Sequence, residues 1–238
     1  MSGVALVTGS SGGIGKDVCS RLRHRGYQVI GLDIEPCEDT ETILCDLSSD
    51  NFIQDLGVFD FGKVSLLVHC AAYQPASEMH LITDTQWTNA YRVNVLSIQA
   101  LASFYLTDLA TSAGTIICIS SVHSRQTSPK LAAYAASKAA LESWVRSASL
   151  EFGPRTAVIG LSLGAVDTPK LREGLMRWPS EKRNEITQRL ISRTPIGRLG
   201  SSQDVASWVE FLASPAARFA SGSVLEVNGG VTAWLGSE

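Results

Sequence analysis

Val4-Ala5-Leu6-Val7-Thr8-Gly9-Ser10-Ser11-Gly12-Gly13-Ile14-Gly15 is the stretch on which the fold turns. Its first five residues have the apolar, β-branched character of a buried strand, and the glycines end that strand abruptly. Ile14, Val18 and Leu22 then recur at helical spacing up to Gly26, a helix stop. Strand, glycine-rich turn and amphipathic helix, in that order, open a βαβ unit. Glycines at such a turn let the backbone bend sharply and come close to a pyrophosphate, while the helix start offers unpaired N–H groups and the positive end of its dipole. Gly9, Ser11, Gly13, Ile14 and Gly15 are therefore the loop residues expected to meet a dinucleotide. The alternative is an ordinary glycine-rich turn, which the strand before and the helix after weigh against.

The same alternation runs on to the other end of the chain. Gln28 to Asp33, Thr42 to Cys45, Ser65 to Cys70, Thr115 to Ser120, Ala157 to Leu163 and Ser223 to Val227 read as further strands. Helices are expected near Thr85 to Ala110, Leu131 to Phe152 and Ser202 to Leu212. The pattern predicts an α/β fold: a Rossmann-type, doubly wound parallel sheet of about seven strands with helices on both faces. With 238 residues, 45% of them apolar, one domain over 1–238 accounts for the whole chain. Asp167 to Gly200 breaks the rhythm, being rich in charge and carrying Pro169, Pro179 and Pro195. It reads as a lid over the sheet edge, at about 167–200.

Composition narrows the function. Twenty-three acidic groups nearly cancel twenty basic ones, so no strong field is available for nucleic acid or an anionic membrane. Five cysteines without a CxxC pair fit reduced thiols in a cytosol-like compartment. Four histidines, far apart, lack metal-ligand spacing, and no metal is expected. No basic leader or spanning-length apolar run is visible, so a soluble cytoplasmic protein is expected, with neither membrane nor nucleic acid as partner.

Asp33 ends the second strand about 20 residues beyond the glycines, where a carboxylate accepts hydrogen bonds from the hydroxyls of an adenosine ribose and repels a 2′-phosphate. Neither Gly12 nor Ile34 supplies a cation, so NAD is the expected cofactor. An Asp that merely caps a turn is the competing reading. Asp46 and Leu47, after Ile43-Leu44-Cys45, are placed to meet the adenine, although a turn-forming Asp looks the same.

At the other end of the cleft, Ser121 follows the buried run Thr115 to Ser120, at the strand end where open α/β sheets bind ligands. Tyr134 and Lys138 stand at i and i+4 on the next helix, which puts phenol and ammonium on one face. A core aromatic, a solvated lysine and a capping serine would explain each alone, but not their convergence on one sheet edge. Oxidising an alcohol needs a base for its proton as hydride leaves carbon. A phenol of pKa about 10 serves only if nearby positive charge favours the phenolate. Tyr134 is read as that base, Lys138 as the cation and Ser121 as the group that positions the substrate oxygen.

These residues resemble the short-chain dehydrogenase/reductase family over essentially the whole chain. Thr8 to Gly15 matches its TGxxxGxG signature, and Ser121 with Tyr134-Ala-Ala-Ser-Lys138 matches its active-site pattern. The resemblance implies a classical, NAD-preferring member. It makes Asn94, in Val93-Asn94-Val95, a fourth catalytic residue that anchors a water beside Lys138; sequence alone reads it as an unfavourable polar residue inside a helix. It also implies that Lys138 and Tyr134 hold the nicotinamide ribose, that Ala71 and Ala72 line the cofactor, that Val166 meets the carboxamide and that Thr168 contacts the cofactor. Pro195 to Gly200 and Val227-Asn228-Gly229-Gly230 resemble the family's usual ending and imply a homodimer or homotetramer.

Two departures stand out. His69-Cys70-Ala71-Ala72 replaces the family's Asn-Asn-Ala-Gly, which leaves the sheet-stabilising role of the first Asn without its usual side chain. Leu163-Gly164 replaces Pro-Gly after the sixth strand, and that loop entrance loses the stiffness of proline.

Hydride transfer between NAD and a secondary alcohol or diol, or the corresponding ketone, is the expected activity. The alternative from another class is an NAD(H)-binding regulator or scaffold without turnover, which has no need of Ser121, Tyr134, Lys138 and Asn94 together. Lys170, Arg172, Arg177, Trp178, Lys182 and Arg183 give the lid a basic and partly apolar character suited to an acidic substrate, or equally to a solvated helix. His123, Arg125, Gln74 and Tyr73 are within plausible reach of the pocket.

Overall fold

The computed structural model describes residues 3–233. Strand β1 (Val4–Thr8) is buried along its whole length, as a strand covered on both faces must be. It pairs in parallel with β2 (Gln28–Asp33) on one side and β4 (Val64–His69) on the other. With β3 (Glu41–Leu44), β5 (Thr115–Ser121), β6 (Ala157–Leu163) and β7 (Val224–Val227), the seven strands lie in the order β3-β2-β1-β4-β5-β6-β7, all parallel. The strand order reverses between β1 and β4. Their carboxyl ends therefore open a crevice, the place where a ligand meets such a sheet.

Alternate residues of the strands feed two cores. Leu6, Leu67 and Ile116 face the side covered by α4 (Ser97–Phe104) and α6 (Ala132–Phe152) through Ile98, Leu101, Leu141 and Val145. Ala5, Val7 and Ile117 face the side covered by α1 (Gly13–His24) and α9 (Ser202–Leu212) through Val18, Leu22, Val205 and Val209. Each such Leu, Ile or Val contributes roughly 1.5–3 kcal/mol by leaving water, so this two-sided burial is what holds the sheet in place.

One expectation is corrected. The single helix expected from Thr85 to Ala110 is four pieces: α3 (Asp84–Tyr91), a π-helical turn (Arg92–Leu96), α4 and, after Tyr105, α5 (Leu106–Thr111). A Thr83–Gln86 capping box starts α3. The helix widens at Asn94 because that side chain turns inward, away from the helical surface. A short helix outside the expected set, α2 (Phe52–Leu56), is anchored to the core by Phe52 and Leu56.

The Asp167 to Gly200 excursion holds two helices, α7 (Pro169–Met176) and α8 (Ser180–Ser192), neither of which has a buried residue. Thr168 caps α7 and Pro169 takes its first position. Among the described residues no helix is long and apolar enough to cross a membrane.

Candidate active site

The glycine loop is built for close approach. Gly9 has φ +67, and a Cβ there would lie 2.7 Å from the Ala71 nitrogen; a Cβ on Gly15 would fall on the Gly9 carbonyl oxygen. Gly13 leaves room for the foot of α7, since a Cβ would come within 2.8 Å of Pro169 Cδ. Ile14, in the first turn of α1, packs against the core. Gly12 begins α1 with no side-chain cap, which leaves the first-turn N–H groups facing the crevice for an anion.

Asp33 stands at the loop's shoulder. Its Oδ2 accepts from the Ser11 N–H at 2.8 Å and its Oδ1 from the Glu35 N–H at 3.2 Å, while the Ser11 hydroxyl donates to the Glu35 carbonyl at 2.5 Å. The carboxylate thus caps a turn at the carboxyl end of β2, with lone pairs left for further donors. Asp46 Oδ1 accepts from both the N–H and the hydroxyl of Ser48, at 2.9 and 2.7 Å, so its side chain is engaged in its own turn. Leu47 is buried in the core, which leaves its backbone as the part nearest the crevice.

Where the chain departs from the family pattern, other contacts serve. The Thr8 hydroxyl and His69 Nδ1 share a hydrogen bond of 2.8 Å, and Thr8 Oγ1 also accepts from the Ala71 N–H at 3.1 Å. The histidine thereby ties the end of β4 to the start of the glycine loop. Ala71 is half-buried and Ala72 exposed. Without proline, the entrance after β6 is held by a bridge: Gly200 N–H donates to Ala165 and Asp167 N–H to Gly200, at 3.0 and 2.8 Å, with Val166 between them. The Thr168 hydroxyl accepts from Leu171 N–H at 3.3 Å, while its Cβ and methyl group lie against Gly13.

Ser121, Tyr134, Lys138 and Asn94 converge at the other end of the crevice. Ser121 is the last residue of β5 and hydrogen-bonds the Tyr134 phenol. Burial pushes the phenol above its ordinary pKa, and the Ser121 bond only partly opposes this. Lys138 is 2% exposed; its Nζ donates to the Ile119 carbonyl at 2.7 Å and sits 5.8 Å from the Tyr134 ring centre. Burial lowers that ammonium to about 8. Asn94 accepts from the Tyr73 N–H at 2.8 Å and donates to the Tyr73 carbonyl at 3.0 Å and to Ser137 Oγ at 2.8 Å. Ser137 in turn donates to the Tyr134 carbonyl at 2.7 Å. The π-helical turn is what points Asn94 at these partners.

Of the residues expected within reach of the pocket, His123 lies closest to the chemistry, its ring 6.0 Å from that of Tyr134, and burial lowers its pKa. Tyr73 offers its backbone to Asn94. Arg125 turns instead to Glu226 at 2.7 Å and Glu142 at 3.5 Å. In the basic excursion, Arg172 grips Asp167 at 2.8 and 2.9 Å and Lys182 lies over Trp178 at 4.3 Å, so both cations have partners close by.

Two residues escaped the sequence reading. Ser137 lies three residues beyond Tyr134 and Glu142 four beyond Lys138, and that helical spacing was the available signal. The buried thiols are no competitors for the chemistry: burial pushes Cys118 and Cys19 up to about 12 and Cys45 to about 11.

A family model described as Enoyl-(Acyl carrier protein) reductase matches residues 9–232. The chain is 29% identical over 244 residues to the 7alpha-hydroxysteroid dehydrogenase of Escherichia coli (strain K12), covering 95% of this chain and 92% of that one. The ligand-free aldohexose dehydrogenase of Thermoplasma acidophilum superposes with a TM-score of 0.92 at 26% identity, over 100% of this chain and 96% of that one. A 4-hydroxyisoleucine dehydrogenase complexed with NADH gives 0.86 at 26%, over 98% and 99%. A protein described as an NAD(P) dependent gluconate 5-dehydrogenase from Beutenbergia cavernae, with NADP bound at low occupancy, gives 0.88 at 25%, over 98% and 97%.

Proposed function

Because the chain belongs to the short-chain dehydrogenase/reductase family of oxidoreductases, we propose that it is an NAD-dependent dehydrogenase, moving hydride between the nicotinamide and a secondary alcohol or diol or the matching ketone. The observation that carries this reading is the buried Ser121–Tyr134–Lys138 cluster at the mouth of the sheet, backed by Asn94.

The residues present fit the dinucleotide. The space that a Cβ at Gly9 or Gly15 would fill, together with the uncapped start of α1, suits a pyrophosphate. Asp33, backed by Glu35 and with no adjacent cation in Asp33-Ile34-Glu35-Pro36, suits a ribose bearing free hydroxyls rather than a 2′-phosphate. We assign Gly9, Ser11, Gly13, Ile14, Gly15, Asp33, the backbone at Asp46 and Leu47, Ala71, Ala72, Tyr134, Lys138, Val166 and Thr168 to holding it. When bound, the nicotinamide supplies the centre that takes or gives hydride.

The chain's own residues handle the proton. Ser121 holds the substrate oxygen beside the Tyr134 hydroxyl, and Tyr134 takes the alcohol's proton in oxidation or returns it in reduction. Bringing a phenol from about 10 to near 7 needs about 4 kcal/mol of differential stabilisation. A lysine ammonium within a few ångströms supplies part of that only where water is excluded, as it is around Lys138. Asn94 and Ser137 hold the Tyr134 turn of α6 against the Tyr73 backbone.

The segment at about 167–200 is assigned as a substrate lid, hinged where Thr168 and Pro169 touch Gly13. Assembly into a homodimer or homotetramer accounts for Trp208 and Phe211 on α9 and the nearby Phe219, aromatic side chains left open to solvent. The near balance of charge and the reduced thiols fit a cytoplasmic enzyme.

The test is a panel of alcohols, diols and hydroxy acids, with NAD or NADP, followed by absorbance of the reduced cofactor. NAD-linked turnover that nearly vanishes in Tyr134→Phe supports the reading. Equal turnover in the variant, or none with any substrate despite cofactor binding, overturns it.

A further inference from the structure

Glu142 lies on α6 one turn beyond Lys138 and is only 4% exposed. A buried carboxylate must be paired, and this one gathers its partners from two other parts of the chain. The Ser120 hydroxyl, on β5 next to Ser121, donates to Oε1 at 3.0 Å, and the Ser124 hydroxyl donates to the same oxygen at 2.6 Å. Arg125 Nε approaches Oε2 at 3.5 Å, while its Nη1 makes a shorter contact, 2.7 Å, with Glu226 on β7. The Arg125 guanidinium is thus shared between two carboxylates, and its shorter contact goes to Glu226 rather than to Glu142.

We propose that Glu142 is a positioning residue of the reaction, the countercharge that keeps the buried Lys138 protonated while its two serine bonds fix the Ser121 end of β5 to α6. This rests on the dehydrogenase reading above. The groups that face Lys138 support the assignment. From α6 these are Tyr134 and Glu142, from β5 Cys118, from the end of β4 His69 and Cys70. Burial holds Lys138 down, and Cys118, Cys70 and Glu142 oppose it. Both thiols are themselves pushed up by burial and stay neutral near pH 7, and His69 is also neutral there. Glu142 is the one carboxylate in the set.

Glu142→Gln separates the two roles, because the amide oxygen still accepts from Ser120 and Ser124 while the charge is gone. The measurement is NADH affinity, by fluorescence titration across a pH series, since a deprotonated Lys138 loses its charge-assisted bonds to a ribose. The expected result is wild-type affinity at acid pH and a fall with rising pH that begins about one unit earlier, a roughly tenfold difference in between. Glu142→Ala, a second neutral variant, shows the same displacement, and Glu142→Asp, which keeps the charge, shows less. Ser120→Ala lowers the melting temperature without moving the midpoint. A midpoint unchanged in both neutral variants overturns the role of Glu142 and leaves the dehydrogenase reading intact. Wild-type protein that binds neither NADH nor NADPH overturns both.

Discussion

The Lys138 ammonium sits 5.8 Å from the centre of the Tyr134 ring while donating to the Ile119 carbonyl, and both side chains are more than nine-tenths shielded from solvent. The proposed chemistry rests on this pairing. In the ligand-free protein burial wins over the Ser121 hydrogen bond, and the phenol stays protonated. In the proposed mechanism the phenol acts as a base only once a second positive charge enters the crevice.

The proposed preference for NAD rests on Asp33. Asp33→Ala removes an anion from the ribose end but leaves the glycine loop in place, apart from the loss of the Ser11 N–H bond. The ratio of kcat/KM for NAD over NADP is expected to fall by about tenfold or more, the equivalent of one pKa unit of interaction. An unchanged ratio removes Asp33 from the role.

Asn94→Ala strands the Tyr73 N–H and carbonyl and takes from the Ser137 hydroxyl one of its two bonds, leaving the one to the Tyr134 carbonyl. Unpaired buried polar groups cost about 1–3 kcal/mol each, so a loss of about 2–4 kcal/mol in urea unfolding is expected, with a lower kcat as the Tyr134 turn loosens. Asn94→Asp keeps the acceptor for Tyr73 and loses less.

His69 couples the fold to pH. Burial, then the Lys138 ammonium, pushes its imidazole down from 6.5 to about 3. Since the folded value lies below the unfolded one, the stability is complete above about 6.5 and drains as pH falls from there toward 3. The expected slope is about 1.4 kcal/mol per pH unit from this one group. Urea melts of wild type and His69→Asn at about pH 7 and about pH 5 check it: the variant has the shallower loss.

Gly15→Ala drives a methyl group onto the Gly9 carbonyl. The loop must open to relieve it. NADH affinity is expected to drop at least about tenfold, with a melting temperature lower by several degrees; wild-type affinity would show that the loop is not the phosphate cradle.

How much of this was legible beforehand follows from distance along the chain. The Gly9 to Gly15 turn, the Asp33 strand end and the Tyr134/Lys138 pair are local patterns, where period and spacing alone bring the side chains together. The doubly wound sheet followed from strands alternating with helices. By contrast, the Thr8–His69 bond spans 61 residues and the Ser120–Glu142 bond spans 22, and neither has a periodic signature. The break at Asn94 was hidden for the same reason. A polar residue in an apolar, helix-forming run declares its purpose only when the Tyr73 backbone it satisfies is seen beside it. Asp46 looked like a ligand and a turn former alike, and its bonds to Ser48 display the turn.

The most direct test of the account is the ionisation of Tyr134 itself, read as phenolate absorbance against pH with Tyr134→Phe as the blank, in protein saturated with NAD. Phenolate is expected to form near neutral pH in the wild type and at least about one unit higher in Lys138→Met. The same midpoint in both proteins would contradict the claim that the lysine charge makes this tyrosine a base.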